Sequence, residues 1–333
     1  MDRLKVALVG LTGEGSGYLT VIRSDERLEL VAVADGDAER LRVVGERLQV
    51  RCFEDYRSLI VESAQAGLDV VFVALEPFES MAFVELAAQR DVGVFHKAPA
   101  SRNVREMRRL MERFEKSRYP LVVSRPWFFE PAFAALRSMT ESSSRIYGAV
   151  ATSVTTLTTT GWRGDSVRAG GGTLLNGAYA VVDMLVQLLG LPEAVYAQCT
   201  MRPASGSTGK YDTEDVAILS LNFGEGKAGS VVARRGAAHR SWAVTLLGSE
   251  RCLEVTPEGL TVTPCDGTPT ERYAVESDCS IASAIRAYGG SCISDDVPFE
   301  STIDQHLATV ATIECAYLSA RTGAPESPSR LLG

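Results

Sequence analysis

Lys97 follows a short apolar run in Val92-Gly93-Val94-Phe95-His96-Lys97-Ala98-Pro99, at what reads as the carboxyl end of a strand. A lysine there can hydrogen-bond a substrate hydroxyl and stabilise a developing alkoxide, or protonate it in the reverse direction. On spacing alone, a surface lysine at a strand end satisfies the same pattern. The second constellation is the run from Gly170 to Asp183, GGGTLLNGAYAVVD. Its three glycines permit close backbone approach before a helix begins. Asn176, Ala180 and Asp183 fall on one helical stripe (i, i+4, i+7), with Tyr179 beside it. A helix packing against a sheet produces that stripe equally well.

The elements that must position these residues begin at the N-terminus. Leu4 to Val9 is an apolar run of the kind that forms a strand buried on both faces. Gly10, Leu11, Thr12, Gly13, Glu14 and Gly15 follow, then a helix-like stretch, then a second apolar run from Leu28 to Ala34 that ends at Asp35. That layout is a dinucleotide-binding βαβ unit. Glycines in the turn let the backbone approach a pyrophosphate, and helix N-terminal amides bind it. The middle glycine of G-x-G-x-x-G is replaced by Thr12, whose Cβ should crowd the pyrophosphate. The alternative is a plain strand-turn-helix with a glycine-rich bend. Asp35 can accept hydrogen bonds from ribose hydroxyls and repels a 2′-phosphate, and the sequence offers no Arg or Lys there to welcome one. NAD is therefore the expected cofactor, ahead of NADP.

The chain has 333 residues, 45% hydrophobic and 23% charged, with a formal net charge of −8. Those values suit a globular protein of two domains. The acidic balance and the lack of a basic stripe argue against nucleic acid and anionic membrane as partners. The cluster from Arg102 to Arg109 is mixed with Glu106 and reads as a solvated helix face. Seven cysteines, none in C-x-x-C, argue against a disulfide framework or zinc site and for a reducing compartment. With only three histidines, no metal site is expected. No secretory h-region and no run of ~18 apolar residues is found, so the expected location is cytoplasmic.

From 1 to 123 strands and helices alternate: helix over Asp37–Leu48, strand over Asp69–Ala74, helix over Glu79–Arg90, strand over Val92–His96, helix over Asn103–Lys116, strand over Leu121–Ser124. This rhythm predicts α/β architecture, a doubly wound, mostly parallel Rossmann sheet. Ligands of such sheets bind outside the carboxyl ends of the strands, where Leu75, Glu76 and Pro77 fall beside His96 and Lys97. From 124 to 333 the rhythm changes. A β-branched strand over Gly148–Thr160 and a helix over Thr173–Leu189 precede a series of short strand-like runs, and a helix over Ser301–Arg321 closes the chain. The expectation is an α+β domain with an open, largely antiparallel sheet, binding substrate and mediating oligomerisation. Arg125, Trp127, Phe128 and Phe129 follow the last Rossmann strand; they suit either a sugar ring beside an arginine or a hydrophobic hinge.

Taken together, these segments resemble the Gfo/Idh/MocA oxidoreductases, the glucose–fructose oxidoreductase and inositol dehydrogenase family, over essentially the whole chain. The family's E-K-P segment falls on His96-Lys97-Ala98. Its G-G-G-x-L-x-D-x-G-x-H-x-x-D segment falls on Gly170 to Asp183. Trp162-Arg163, Glu214-Asp215 and Leu247-Gly248-Ser249-Glu250 also resemble it. The resemblance implies an NAD(H)- or NADP(H)-dependent oxidoreductase of sugars, cyclitols or related polyols, a homodimer or homotetramer built through the C-terminal sheet. Carried over by position, it implies Lys97 as catalytic, Trp162 and Arg163 near the cofactor, and Lys97, Arg163, Asn176 and Asp183 near the substrate; Arg125 and Trp127, from their place after the last Rossmann strand, and Tyr179, beside position 180, join the substrate candidates.

The catalytic set departs from the family. Asn176 stands where the family has Asp and Ala180 where it has His; neither exchanges a proton near neutrality. Tyr179 or His96 would then carry the proton, with Asn176 as a neutral partner. Alternatively, Lys97 acts alone or through water. A third possibility is a non-catalytic nucleotide- or sugar-binding protein, and a fourth is a redox-neutral enzyme (elimination, epimerisation, glycoside cleavage) with tightly held NAD.

Overall fold

The computed structural model describes residues 3–142, 145–157, 161–202, 210–274, 280–293 and 303–333. Thr158, Thr159, Thr160, Cys279 and Ser301, which belong to the readings above, lie outside them. The chain divides into two compact units. The first comprises Met1–Ser101, Arg105–Pro126 and Asp278–Ile303, and the second Arg102–Val104, Trp127–Ser277 and Asp304–Gly333. The sequence had suggested a single cut at 123/124; here a late segment returns to the first unit.

The first unit runs β1 (Leu4–Val9), α1 (Glu14–Ser24), β2 (Leu28–Ala34), α2 (Ala38–Leu48), β3 (Arg51–Phe53), α3 (Tyr56–Gln65), β4 (Val70–Val73), α4 (Pro77–Gln89), β5 (Gly93–His96), α5 (Val104–Phe114) and β6 (Leu121–Val123). Among the described residues the strands form one six-stranded parallel sheet, ordered β3-β2-β1-β4-β5-β6. Chain order reverses between β1 and β4, the switch point at which doubly wound sheets bind ligands. β4, β5 and β6 are buried at every position, because helices cover both faces and a parallel strand must be apolar throughout. Val71, Val73 and Val94 point into one core with Leu59, Ile60, Phe83 and Val84. Phe72 and Phe95 point the other way, where Phe95 meets Tyr18 and Tyr288 at centroid distances of 5.7 and 5.3 Å.

The second unit holds α6 (Pro131–Ser142), β7 (Ile146–Val154), α7 (Ser166–Ala169), α8 (Thr173–Gly177), α9 (Tyr179–Leu189), β8 (Ala194–Thr200), β9 (Val216–Gly224), β10 (Lys227–Arg234), β11 (Ser241–Gly248), β12 (Arg251–Thr256), β13 (Gly259–Pro264) and β14 (Glu271–Ala274). Next in chain order, α10 (Ser280–Ile293) belongs to the first unit; α11 (Ile303–Thr322) and α12 (Pro328–Leu332) end the chain. The sheet is ordered β14-β13-β12-β11-β7-β10-β9-β8. It is antiparallel except for β7 beside β10. Burial alternates along β9, the mark of a sheet with one covered face. On the other face Val232 lies opposite Ile218 and Thr152, and Ser230 opposite Val150 and Ser220. Ile218, Val150, Val232, Tyr147 and Tyr196 are exposed. No described helix is long and apolar enough to cross a membrane.

Candidate active site

In the first unit, the expected cofactor residues gather at the carboxyl ends of β1, β2 and β4. Gly10 has φ +84°, and a Cβ on Gly15 would fall 1.9 Å from the Gly10 carbonyl oxygen; only glycine lets α1 start against this turn. Thr12 is exposed. Gly13 is the N-cap of α1 and offers no side-chain cap, which leaves the helix N-terminus with the character of an anion site. Glu14 stands in the first turn and accepts from the Tyr18 hydroxyl. Asp35 is buried; its carboxylate accepts from the Leu11 and Asp37 amides at 2.8 and 2.9 Å and from Arg40 Nη1 at 2.9 Å. Arg40 also pairs with Asp37 at 3.0 Å. The expectation of no basic residue near Asp35 is therefore corrected. Arg40 lies five residues on, and the first turn of α2 brings it back. The glycine cradle, the bare helix end and the acid closing β2 fit a dinucleotide.

Lys97 leaves β5 with its amide bonded to the Val73 carbonyl. Its Nζ lies 2.5 Å from Glu76 Oε1, with both side chains about 15% exposed. Glu76 precedes Pro77 at the start of α4. Sequence reasoning gave Glu76 a cofactor role; its partnership with Lys97 needed the pairing of β4 with β5 to become visible.

His96 is fully buried. Its Nδ1 lies 2.6 Å from the Lys97 carbonyl oxygen and its Nε2 2.7 Å from Ser80 Oγ. A carbonyl only accepts, so Nδ1 carries the proton and Nε2 accepts from the serine. Burial first, and then the Lys97 charge, hold its pKa down to about 4, against the pull of its backbone bond. A neutral ring bonded at both nitrogens stabilises the strand end. The expectation that His96 moves a substrate proton is corrected on that ground.

In the second unit the glycine run is shaped by its own protein. A Cβ on Gly171 would meet the Tyr317 hydroxyl at 2.1 Å, and one on Gly172 the Glu214 carbonyl oxygen at 2.1 Å. The buried Glu214 carboxylate accepts from the Gly172 and Leu174 amides at 2.7 and 2.8 Å and from Tyr317 at 2.9 Å. It supplies the start of α8 with acceptors that no local side chain provides. Burial nonetheless pushes its pKa up, outweighing these bonds.

The predicted continuous stripe is also corrected, because the helix breaks at Ala178. Asn176 stays on α8, and its Nδ2 donates to the Gly171, Ala169 and Gly172 carbonyls at 2.8, 3.3 and 3.3 Å. Three acceptors fix which end of the amide faces the turn. Tyr179 and Asp183 lie on α9. Asp183 is fully buried and accepts from Trp127 Nε1 at 2.9 Å and Thr309 Oγ1 at 2.7 Å. It fastens α9 to α11, and Trp127 is its anchor; the substrate roles expected for this pair give way to that bond. Tyr179 is 4% exposed, and its hydroxyl lies 2.8 Å from His306 Nδ1. Sequence reading missed His306, whose only signal was being one of three histidines.

Arg125 has no exposed surface. Phe128 packs on Phe133, with Arg137 over its ring, so the expected aromatic platform is partly core. Arg163 stacks on Trp162 at 4.4 Å, and its buried Nε has no hydrogen-bond partner among the described residues. Tyr211 bonds Asp215, which Arg235 holds in a buried ion pair at 2.8 Å. No described group of three His, Cys, Asp or Glu could hold a metal.

A family model described as an oxidoreductase family with an NAD-binding Rossmann fold matches residues 4–124, and a GFO/IDH/MocA C-terminal domain model matches 141–254. The chain is 26% identical to a D-apiose dehydrogenase of Paraburkholderia graminis, covering 97% of this chain and 89% of that protein. The crystal structure of an oxidoreductase from Agrobacterium radiobacter, in complex with NAD+, L-tartaric acid and magnesium, superposes with a TM-score of 0.80 at 18% identity, over 99% of this chain and all of that one. An apo levoglucosan dehydrogenase superposes with a TM-score of 0.86 at 18% identity, over 98% and 99% of the two chains.

Proposed function

The chain belongs to the GFO/IDH/MocA oxidoreductase family, and on that premise we propose that it is an NAD-preferring dehydrogenase of a sugar, cyclitol or related hydroxy/keto compound. The observation that carries the reading is the carboxyl edge of the parallel sheet. There the uncapped start of α1, the Asp35 carboxylate and the Lys97–Glu76 pair stand on one rim. The D-apiose dehydrogenase likeness supports a sugar-type substrate.

Gly10, Thr12, Gly13, Glu14 and Gly15 would hold the pyrophosphate, Asp35 the adenosine ribose, and Leu75, Glu76 and Pro77 the nicotinamide half. Arg163, with its unpartnered Nε, would serve cofactor or substrate. The bound dinucleotide supplies hydride exchange. Lys97 orients and polarises the substrate oxygen, Tyr179 handles its proton, and Asn176 offers Oδ1 as a neutral acceptor. NAD is preferred because the buried Asp35 charge opposes a 2′-phosphate while Arg40 stays engaged with two carboxylates. The outer face around Ile218, Val232 and Val150, with Arg234 at its margin, is covered by a second copy of the chain.

Titration with NADH and NADPH, followed by nicotinamide fluorescence and then a polyol and keto-sugar screen, tests the reading. Tighter binding of NADH and substrate-dependent NADH formation are expected. A cofactor that copurifies and is never consumed would indicate the redox-neutral enzyme. Binding without turnover of any compound would indicate a binding protein.

A further inference from the structure

We infer that His306 is the positioning partner of Tyr179, the two side chains forming one acid–base unit; this rests on the oxidoreductase reading above. Tyr179 opens α9, and His306 lies in the first turn of α11. The hydroxyl and Nδ1 are 2.8 Å apart, and the rings lie nearly parallel, at 16°. His306 has no exposed surface. One turn along each helix a second bond repeats the join, from Thr309 to Asp183. The Trp127 and Tyr179 rings pack edge to face, with centroids 6.3 Å apart. Packing alone would be met by Phe and Leu without burying an imidazole. The bond restores an imidazole behind the glycine-rich segment, although position 180 is Ala.

When a carbinol is oxidised, the substrate O–H proton goes to the Tyr179 oxygen while the Tyr179 proton goes to His306 Nδ1. The substrate C–H hydrogen leaves with its electron pair to the bound dinucleotide. One carbonyl and one imidazolium result, and the tyrosine is neutral before and after. Once product has left, the imidazolium returns its proton to the Tyr179 oxygen, which releases its own to water entering the vacated position. A lone buried tyrosine would have to hold a phenolate, which burial opposes.

The test uses the full chain as wild type, Tyr179→Phe, His306→Gln and the double variant. Two readouts are taken: kcat, KM and their pH profiles on a turned-over polyol, and ¹⁵N spectra of histidine-labelled protein, in which three imidazoles are easily assigned. Each single variant should lower kcat about 10²-fold with NADH binding retained. The double variant should be no slower than the singles, and His306→Gln should remove a limb of the kcat pH profile. Tyr179→Phe should move the His306 signals and leave those of His239 in place. An active wild type whose His306→Gln variant keeps kcat within about twofold and an unchanged pH profile overturns the inference alone. So does a His306 signal indifferent to Tyr179→Phe, a readout that needs neither turnover nor a folded His306 variant. A wild type that binds NADH but turns over nothing overturns the oxidoreductase reading itself.

Discussion

The Lys97 ammonium lies 2.5 Å from the Glu76 carboxylate, joining the end of β5 to the start of α4 across the 21 residues that separate them. A lysine otherwise free to sample many rotamers is held at the rim of the sheet, which is what a group that must meet a substrate oxygen requires. Lys97→Ala should reduce turnover about 10²-fold or more while leaving NADH binding largely intact. Glu76→Gln should cost less, because the amide can still accept from the ammonium. The double variant should be no worse than Lys97→Ala. Steady-state kinetics on the three variants checks this, and near-normal turnover in Lys97→Ala would remove the lysine from the mechanism.

Arg40 is occupied by Asp35 and Asp37 at 2.9 and 3.0 Å. Asp35→Ser removes the charge that opposes a 2′-phosphate and frees one face of that guanidinium. The ratio of NADPH to NADH affinity should rise about tenfold or more, worth roughly 1.4 kcal/mol. Fluorescence titration measures it directly; an unchanged ratio would deny Asp35 its selective role.

His96 makes stability depend on pH. Its folded pKa is depressed to about 4 from the usual 6.5, so between those values the unfolded chain binds the extra proton. Stability contributed by the neutral ring is full above about pH 6.5 and is lost as pH falls toward 4, by a total of about 3 kcal/mol. Denaturant unfolding of wild type and His96→Gln across that window should show a flatter slope in the variant. Parallel slopes would mean that the ring is not buried neutral.

Two glycine-to-alanine changes should behave oppositely. At Gly172 the new Cβ would sit 2.1 Å from a backbone oxygen of Glu214, and the loss should be about 2–4 kcal/mol. At Gly17, inside α1, a methyl would meet only Ile281 Cδ1 at 3.9 Å, so Ala should be neutral or stabilise by up to about 1 kcal/mol. Calorimetric melting of both proteins separates the two cases.

Ile218→Lys with Val232→Lys places two charges on neighbouring, register-paired positions of the open sheet face. If a second copy covers that face, light scattering should find the variant as monomer and the wild type as a larger species. A wild type that is itself monomeric would leave the face without that partner.

Much of the first sheet was legible because a parallel strand covered on both faces must be apolar throughout: Leu4–Val9 and Leu28–Ala34 appear with the bounds the sequence suggested. β3 was invisible, being three residues long, with Arg51 and Cys52 exposed at the sheet edge. The site was legible only where chemistry is local. The glycine turn and Asp35 lie within one βαβ unit and could be read together. The Glu76 partner of Lys97 and the His306 partner of Tyr179 arise from strand pairing and from helix packing across 127 residues, and no local pattern encodes either. The break at Ala178 follows Asn176 and Gly177, both weak helix formers, and was masked by the apolar period that runs on from Leu174 into α9. What ends α8 is a turn whose backbone bonds are taken up by its neighbours, with Ser153 Oγ donating to the Gly177 carbonyl at 2.8 Å.

α10 carries Tyr288 onto Phe72 and Phe95, bonds its hydroxyl to the Pro120 carbonyl at 3.1 Å, and receives Arg27 at the Arg286 carbonyl at 3.1 Å. The layer that seals one side of the nucleotide-binding sheet is thus encoded more than 150 residues after the last of its strands. During synthesis at about 5–20 residues per second, that aromatic face stays open for some ten seconds or longer after β6 has left the ribosome. The nascent chain must wait with a half-covered sheet, a window in which chaperones or a neighbouring nascent chain can reach it.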